Sequence, residues 1–117
     1  MRLFQYWDSG DPPDDVAACI QSVRDLSPEF EHELFDRDQA AWFIGKRLGD
    51  RERAAFLSLA VPAMQGDYFR LCALWARGGL WVDADCRAVR PLRKLLVAAP
   101  TGFITMYARR LQNSLIL

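Results

Sequence analysis

Asp67-Tyr-Phe-Arg-Leu-Cys-Ala-Leu-Trp-Ala-Arg-Gly-Gly-Leu-Trp-Val-Asp-Ala-Asp85 decides how this chain is read. It runs as helix, glycine turn, short strand and then two carboxylates one residue apart. Met64, Tyr68, Leu71, Cys72 and Trp75 recur at the spacing of one helix face, which predicts that this face is buried. Asp67, Arg70 and Leu74 fall on an adjoining stripe, so the acid and the base point in similar directions. Gly78-Gly79 ends the helix, because glycine reaches the left-handed conformation that a helix C-terminus often needs. Leu80-Trp81-Val82 is a short apolar run with strand character. On an extended chain Asp83 and Asp85 then share one face, just beyond a buried strand.

Two carboxylates so placed repel each other until a divalent cation sits between them. Mg2+ or Mn2+ takes oxygen ligands and is typically held by one or two carboxylates together with substrate phosphates. A bare Asp-x-Asp occurs by chance in many solvated turns. Here it follows an apolar strand, a Gly-Gly turn and an amphipathic helix carrying Asp67 and Arg70, and that context is what singles it out.

The combined pattern Asp67-Tyr-Phe-Arg70 and Gly78-Gly79-Leu-Trp-Val-Asp83-Ala-Asp85 resembles the core of the DXD-motif sugar transferases of the GT-A fold. The similar group is the family 32-like one, with yeast-type initiating mannosyltransferases, bacterial capsular sugar transferases and the catalytic domain of large clostridial toxins. Its helix usually reads Ser/Ala-Asp-x-x-Arg-x-x-x-Leu, followed by Gly-Gly-x-Tyr-x-Asp-x-Asp. This chain departs from that pattern with Gly66 before Asp67 and with Trp81 where Tyr is usual.

The resemblance implies an α/β chain, a three-layer α/β/α domain of partial GT-A (nucleotide-diphospho-sugar transferase) type. It implies a metal-dependent glycosyltransferase that takes a nucleotide-sugar donor, an acceptor that stays unidentified, and retention of anomeric configuration, as in polysaccharide biosynthesis. By the same resemblance Asp85 ligates Mn2+ or Mg2+, and Asp83 ligates it through water or touches the ribose. Asp67 and Arg70 contact the sugar or diphosphate, and Trp7 and Trp81 hold the nucleoside. No residue is nominated as nucleophile or base.

The remaining chain sets bounds. At 117 residues it is one domain, with 51% hydrophobic and 26% charged residues. Fifteen basic and 15 acidic residues leave no net charge, which argues against a partner recognised by neutralising nucleic-acid phosphates. No apolar run is long enough to span a bilayer, and the N-terminus lacks a secretory signal pattern. Three cysteines, Cys19, Cys72 and Cys86, show no C-x-x-C spacing. They are expected as reduced thiols in a cytoplasmic protein, with Cys19 and Cys72 as small core residues. The basic residues are Arg except for Lys46 and Lys94, a pointer to a GC-rich bacterial source.

In order, Leu3–Trp7 reads as a buried strand ending in the loop Asp8-Ser-Gly-Asp-Pro-Pro13, where open α/β sheets tend to bind nucleotides. Trp7 is a core aromatic on its own, or the nucleobase platform by resemblance. A helix from about Pro13 to Asp25 buries Val16, Ile20 and Val23, and Phe30–Phe35 is a second strand. His32, the single histidine, lies between Glu31 and Glu33 and is expected in a solvent-facing structural role, since a lone histidine makes no zinc site. Asp36 and Gln39 form a capping box. The helix that it opens carries Ala40, Phe43 and Ile44 and closes at Gly49. Asp50 then caps a helix reaching about Ala60, and Pro62 breaks the pattern before the central helix.

Beyond Asp85, Val89-Arg90-Pro91-Leu92 resembles a Leu-x-Pro-Leu phrase of the family. Leu92–Ala98 reads as one or two helical turns, and Thr101–Tyr107 and Asn113–Leu117 read as strands. Asn113 also occurs in the family at this distance from the acidic pair. The family's domains are longer, and Ser114–Leu117 is apolar without a polar tail. The expectation is therefore an incomplete domain: a truncated chain, a fragment or a minimal relative, with oligomerisation open.

Three other functions compete. A donor-binding module without catalysis is separated from the enzyme by donor hydrolysis with Mn2+. A haloacid-dehalogenase-type phosphatase needs a downstream Lys and further acids, and Lys94 is the only Lys after Asp85. A purely structural protein leaves Asp67, Arg70, Asp83 and Asp85 as coincidence.

Overall fold

The computed structural model describes residues 1–94 together with strands at 105–108 and 111–116. The order is β1 (Arg2–Tyr6), α1 (Asp14–Leu26), β2 (Glu31–Phe35), α2 (Arg37–Arg47), α3 (Asp50–Ser58), α4 (Pro62–Arg77), β3 (Leu80–Val82), β4 (Thr105–Ala108) and β5 (Leu111–Ile116). The strands form one sheet in the order β2-β1-β3-β5-β4. β1 runs parallel to both β2 and β3, with Leu3 opposite Leu80 and Phe4 opposite Trp81. β5 is antiparallel to β3 and β4.

Alternate residues of β1 and β3 build two cores, because successive strand side chains point to opposite faces. Leu3, Leu80 and Val82 pack with Val23 of α1. Phe4, Tyr6 and Trp81 pack on the other side with α2, α3 and α4. The result is the expected α/β chain with helices on both faces of a small sheet that is parallel over β2-β1-β3 and antiparallel beyond β3. The connections from β1 and β2 leave on opposite faces, which opens a crevice at the C-terminal ends of β1 and β3.

Local signals set most boundaries. Asp36 accepts from the Gln39 backbone at 2.8 Å, and Gln39 Oε1 accepts from the Asp36 backbone at 3.0 Å, closing the capping box. α4 begins at Pro62 itself, whose missing N–H is no loss in a first turn. It ends at Gly78, with φ +66°, whose N–H reaches Leu74 O at 2.8 Å. Gly79 (φ +110°) is required more strictly, since a Cβ there would lie 2.6 Å from Arg2 O.

Several expectations need correction. β1 ends at Tyr6, and Trp7 belongs to the following turn. α1 starts after Pro13, which is its N-cap. Gly49, with φ +122°, caps α3 in place of Asp50. On α4 the buried residues are Gln65, Phe69, Cys72 and Ala73. Of the face expected inside, Met64, Leu71 and Trp75 are 50%, 68% and 83% exposed. Phe69 decides this rotation. Its ring centroid lies 4.9–5.8 Å from those of Phe35, Phe43, Tyr6 and Trp81, filling the centre of the aromatic core. Cys72 and Ala73, being small, let α4 approach the sheet. Gln65 is tolerated there because it accepts from the Tyr6 hydroxyl at 3.0 Å and donates to Leu59 O at 2.8 Å.

His32 is also corrected: it is half-buried and hydrogen-bonded on both ring nitrogens. Cys72 is buried and Cys19 half-buried. The helical reading of Leu92–Ala98 lies largely outside the described residues, as do residues 101–104 and 117 of the two strand readings near the C-terminus. Among the described residues no helix is long and apolar enough to cross a membrane.

Candidate functional site

The crevice at the ends of β1 and β3 is a cleft of about 510 Å3. Trp7 and Asp8 form one wall, Asp67 and Gly66 of α4 another, and Asp83, Ala84 and Asp85 follow β3 along the floor. Gly66 lets α4 come close, since a Cβ there would sit 3.3 Å from the Tyr6 ring.

The acidic pair is not on an extended chain, contrary to the sequence expectation. Cys86 N–H donates to Asp83 O at 3.0 Å, so Asp83–Cys86 is a tight turn. Ala84 is buried against Val16 and Ile20 of α1, which pins the turn to the sheet face. Both carboxylates still line the one cleft.

Asp83 is held from two sides. Its Oδ1 accepts from Trp81 Nε1 at 2.9 Å. Arg70 NH1 stands 3.9 Å from the same oxygen, while Arg70 NH2 donates to Asp67 Oδ1 at 2.6 Å. The acid and base of α4 thus do point toward the β3 turn. Trp81 is only 3% exposed and packs edge-on to Phe69, so it offers a ligand little of its ring. Trp7 is half-exposed at the cleft wall and packs partly against Val16, Ile20 and Ala84.

Among the described residues no three His, Cys, Asp or Glu side chains cluster as a self-sufficient metal site. Cys86 adds no thiolate at neutral pH: burial, and then Asp83 and Asp85, push its pKa up to about 12. The donor set in the cleft is carboxylate oxygen beside open space. That set suits Mg2+ or Mn2+, which keep several positions for water and phosphate oxygens.

The structure therefore brings Trp7, Asp67, Trp81, Asp83 and Asp85 to one cleft, with Arg70 bridging Asp67 and Asp83. Sequence reasoning marked the Asp8–Pro13 loop as a ligand loop without singling out Asp8, a further carboxylate of the cleft. It noted Gly66 only as a departure from the family pattern and passed over the buried Gln5, whose Nε2 donates to Asp83 O at 3.4 Å.

The sequence model of one family, described as a glycosyltransferase sugar-binding region containing DXD motif, matches residues 13–101. That span holds Asp67, Arg70, Trp81, Asp83 and Asp85, and Trp7 precedes it. No curated protein and no solved structure matches the chain.

Proposed function

Because the chain belongs to the family of glycosyltransferase sugar-binding regions containing a DXD motif, we propose that its cleft binds a nucleotide-sugar donor with Mn2+ or Mg2+ for transfer of the sugar. The observation that supports this best is the meeting of the Asp83–Asp85 turn with Trp7 and Asp67 at the C-terminal ends of two parallel strands. Asp85 and Asp83 would hold the metal, whose charge, when bound, stabilises the diphosphate leaving group. Trp7 offers an aromatic face to the nucleobase. Arg70 presents a planar fork of donors toward the acidic pair and the diphosphate beside it. Asp67, which accepts from Arg70, would accept from sugar hydroxyls. Trp81 acts through Asp83.

Thermal shift with UDP- and GDP-sugars, with and without Mn2+, tests this reading, since a ligand of the native state raises apparent stability. A Mn2+-dependent rise is expected in the wild type. Asp85→Ala should lose it while melting normally without ligand. No rise with any donor, or an equal rise in the variant, would refute the site. Release of free sugar from the stabilising donor would identify an enzyme, and binding without turnover a donor-binding module.

A further inference from the structure

Gln5 sits in β1, an interior strand of the sheet, with no exposed surface. A buried amide costs stability unless it is hydrogen-bonded, and an apolar side chain of similar volume would avoid that cost. Its partners give it a direction. His32 Nδ1 accepts from Arg24 Nε at 3.1 Å. A guanidinium only donates, so the neutral ring carries its proton on Nε2. Nε2 lies against Gln5 Oε1, which therefore accepts, and Gln5 Nε2 is left to donate to Asp83 O. The donors run one way, from Arg24 through His32 and Gln5 to the carbonyl that also closes the Asp83–Cys86 turn. β1 and β2 make this possible by pairing Leu3 with His32, which places His32 on the same sheet face as Gln5.

We propose that Gln5, oriented by His32, is a positioning residue for the acidic turn. Its amide fixes the Asp83 carbonyl and so aims the Asp83 and Asp85 side chains into the cleft. What the turn binds rests on the function proposed above; that Gln5 holds the turn does not. Partners that orient the ligands of a metal typically change its affinity by about 10–100-fold when removed.

The test compares wild type, Gln5→Met, His32→Leu and the double variant. Calorimetry measures UDP and GDP, each with Mn2+ and each with a chelator. Gln5→Met is expected to weaken the Mn2+-dependent affinity at least about tenfold and to leave metal-free nucleotide binding unchanged. His32→Leu should lose a smaller part, and the double variant should match Gln5→Met, because the two act in series. Wild-type Mn2+-dependent affinity in a Gln5→Met protein that merely melts lower would overturn the proposal.

Amide NMR shifts of Ala84, Asp85 and Cys86 read the turn without any ligand, and should move in Gln5→Met. If wild type binds neither nucleotide, the proposed function fails, and these shifts alone decide the positioning claim. Unmoved amides sink it. If Gln5→Met does not fold, His32→Leu must shift the same amides, and its failure to do so is equally decisive.

Discussion

Trp81 Nε1 donates to Asp83 Oδ1 at 2.9 Å, so a core indole two residues upstream sets the direction of the first acid of the pair. The indole is itself held edge-on by Phe69, at 5.8 Å between centroids. The packing of α4 against β3 is thereby transmitted to a carboxylate in the cleft. Trp81→Phe keeps an aromatic ring beside Phe69 and removes the donor. It is expected to weaken Mn2+-dependent nucleotide-sugar binding by about tenfold, with a stability loss of about 1–2 kcal/mol from the smaller ring. Calorimetry and urea unfolding measure the two effects separately. Undiminished affinity would show that Asp83 needs no such support.

Arg70 links Asp67, at 2.6 Å, to Asp83, at 3.9 Å. Asp67 is exposed, and an exposed pair is worth less than about 1 kcal/mol. Arg70→Lys and Asp67→Ala should therefore change the denaturation midpoint little. Each should nevertheless weaken donor binding several-fold, because Lys lacks the planar fork and Ala lacks the acceptor. Wild-type affinity in both variants, titrated against the preferred nucleotide sugar with Mn2+, would reduce the pair to surface electrostatics.

The rotation of α4 is open to a direct stability comparison. Phe69→Ala opens a cavity among four aromatic rings and is expected to cost about 3–5 kcal/mol. Trp75→Ala removes a ring that stands in solvent and should stay within about 0.5 kcal/mol of wild type. Similar losses in the two variants would mean that the helix presents its other stripe to the sheet.

His32 titrates late. Burial, and then the Arg24 guanidinium, lower its pKa from the ordinary 6.5 to about 4. Between those values the unfolded chain holds a proton that the folded chain refuses. Stability from this group is therefore full above pH 6.5 and is lost as pH falls toward 4. A shift of that size corresponds to about 3 kcal/mol, which partial exposure reduces to about 1–2 kcal/mol. Urea unfolding of wild type and His32→Leu at pH 7.5 and 4.5 isolates the effect, since carboxylate contributions are common to both. An identical pH dependence in the two proteins would exclude it.

Features that depend on neighbours along the chain were legible in the residues. Gly78-Gly79 stops a helix because both take positive φ, and Leu80-Trp81-Val82 is a strand because it is short, apolar and flanked by a turn. Asp36 and Gln39 cap each other three residues apart, and Val16, Ile20 and Val23 are the buried face of α1. The placing of β1 beside β3 also follows from the reading that their loops share one ligand, and the two strands are parallel neighbours.

The sequence by itself thus determined the elements up to β3, the α/β class and the acidic pair at the end of a buried strand. Only the tertiary structure decided how those elements face one another. α4 carries two overlapping stripes with helical apolar spacing, Met64-Tyr68-Leu71-Cys72-Trp75 and Phe69-Cys72-Ala73-Ala76, which share the buried Cys72 and are about 100° apart per residue of offset. Periodicity detects both and cannot rank them. The ranking comes from Phe69 fitting between Tyr6, Phe35, Phe43 and Trp81, residues distant in the chain. Asp83 and Asp85 turn instead of extending because Ala84 packs on α1 and Gln5 reaches the Asp83 carbonyl. His32 is drawn partly out of solvent because strand pairing sets it beside Gln5. Each of these outcomes is a contact between residues far apart in sequence, and no local pattern encodes which partner will arrive.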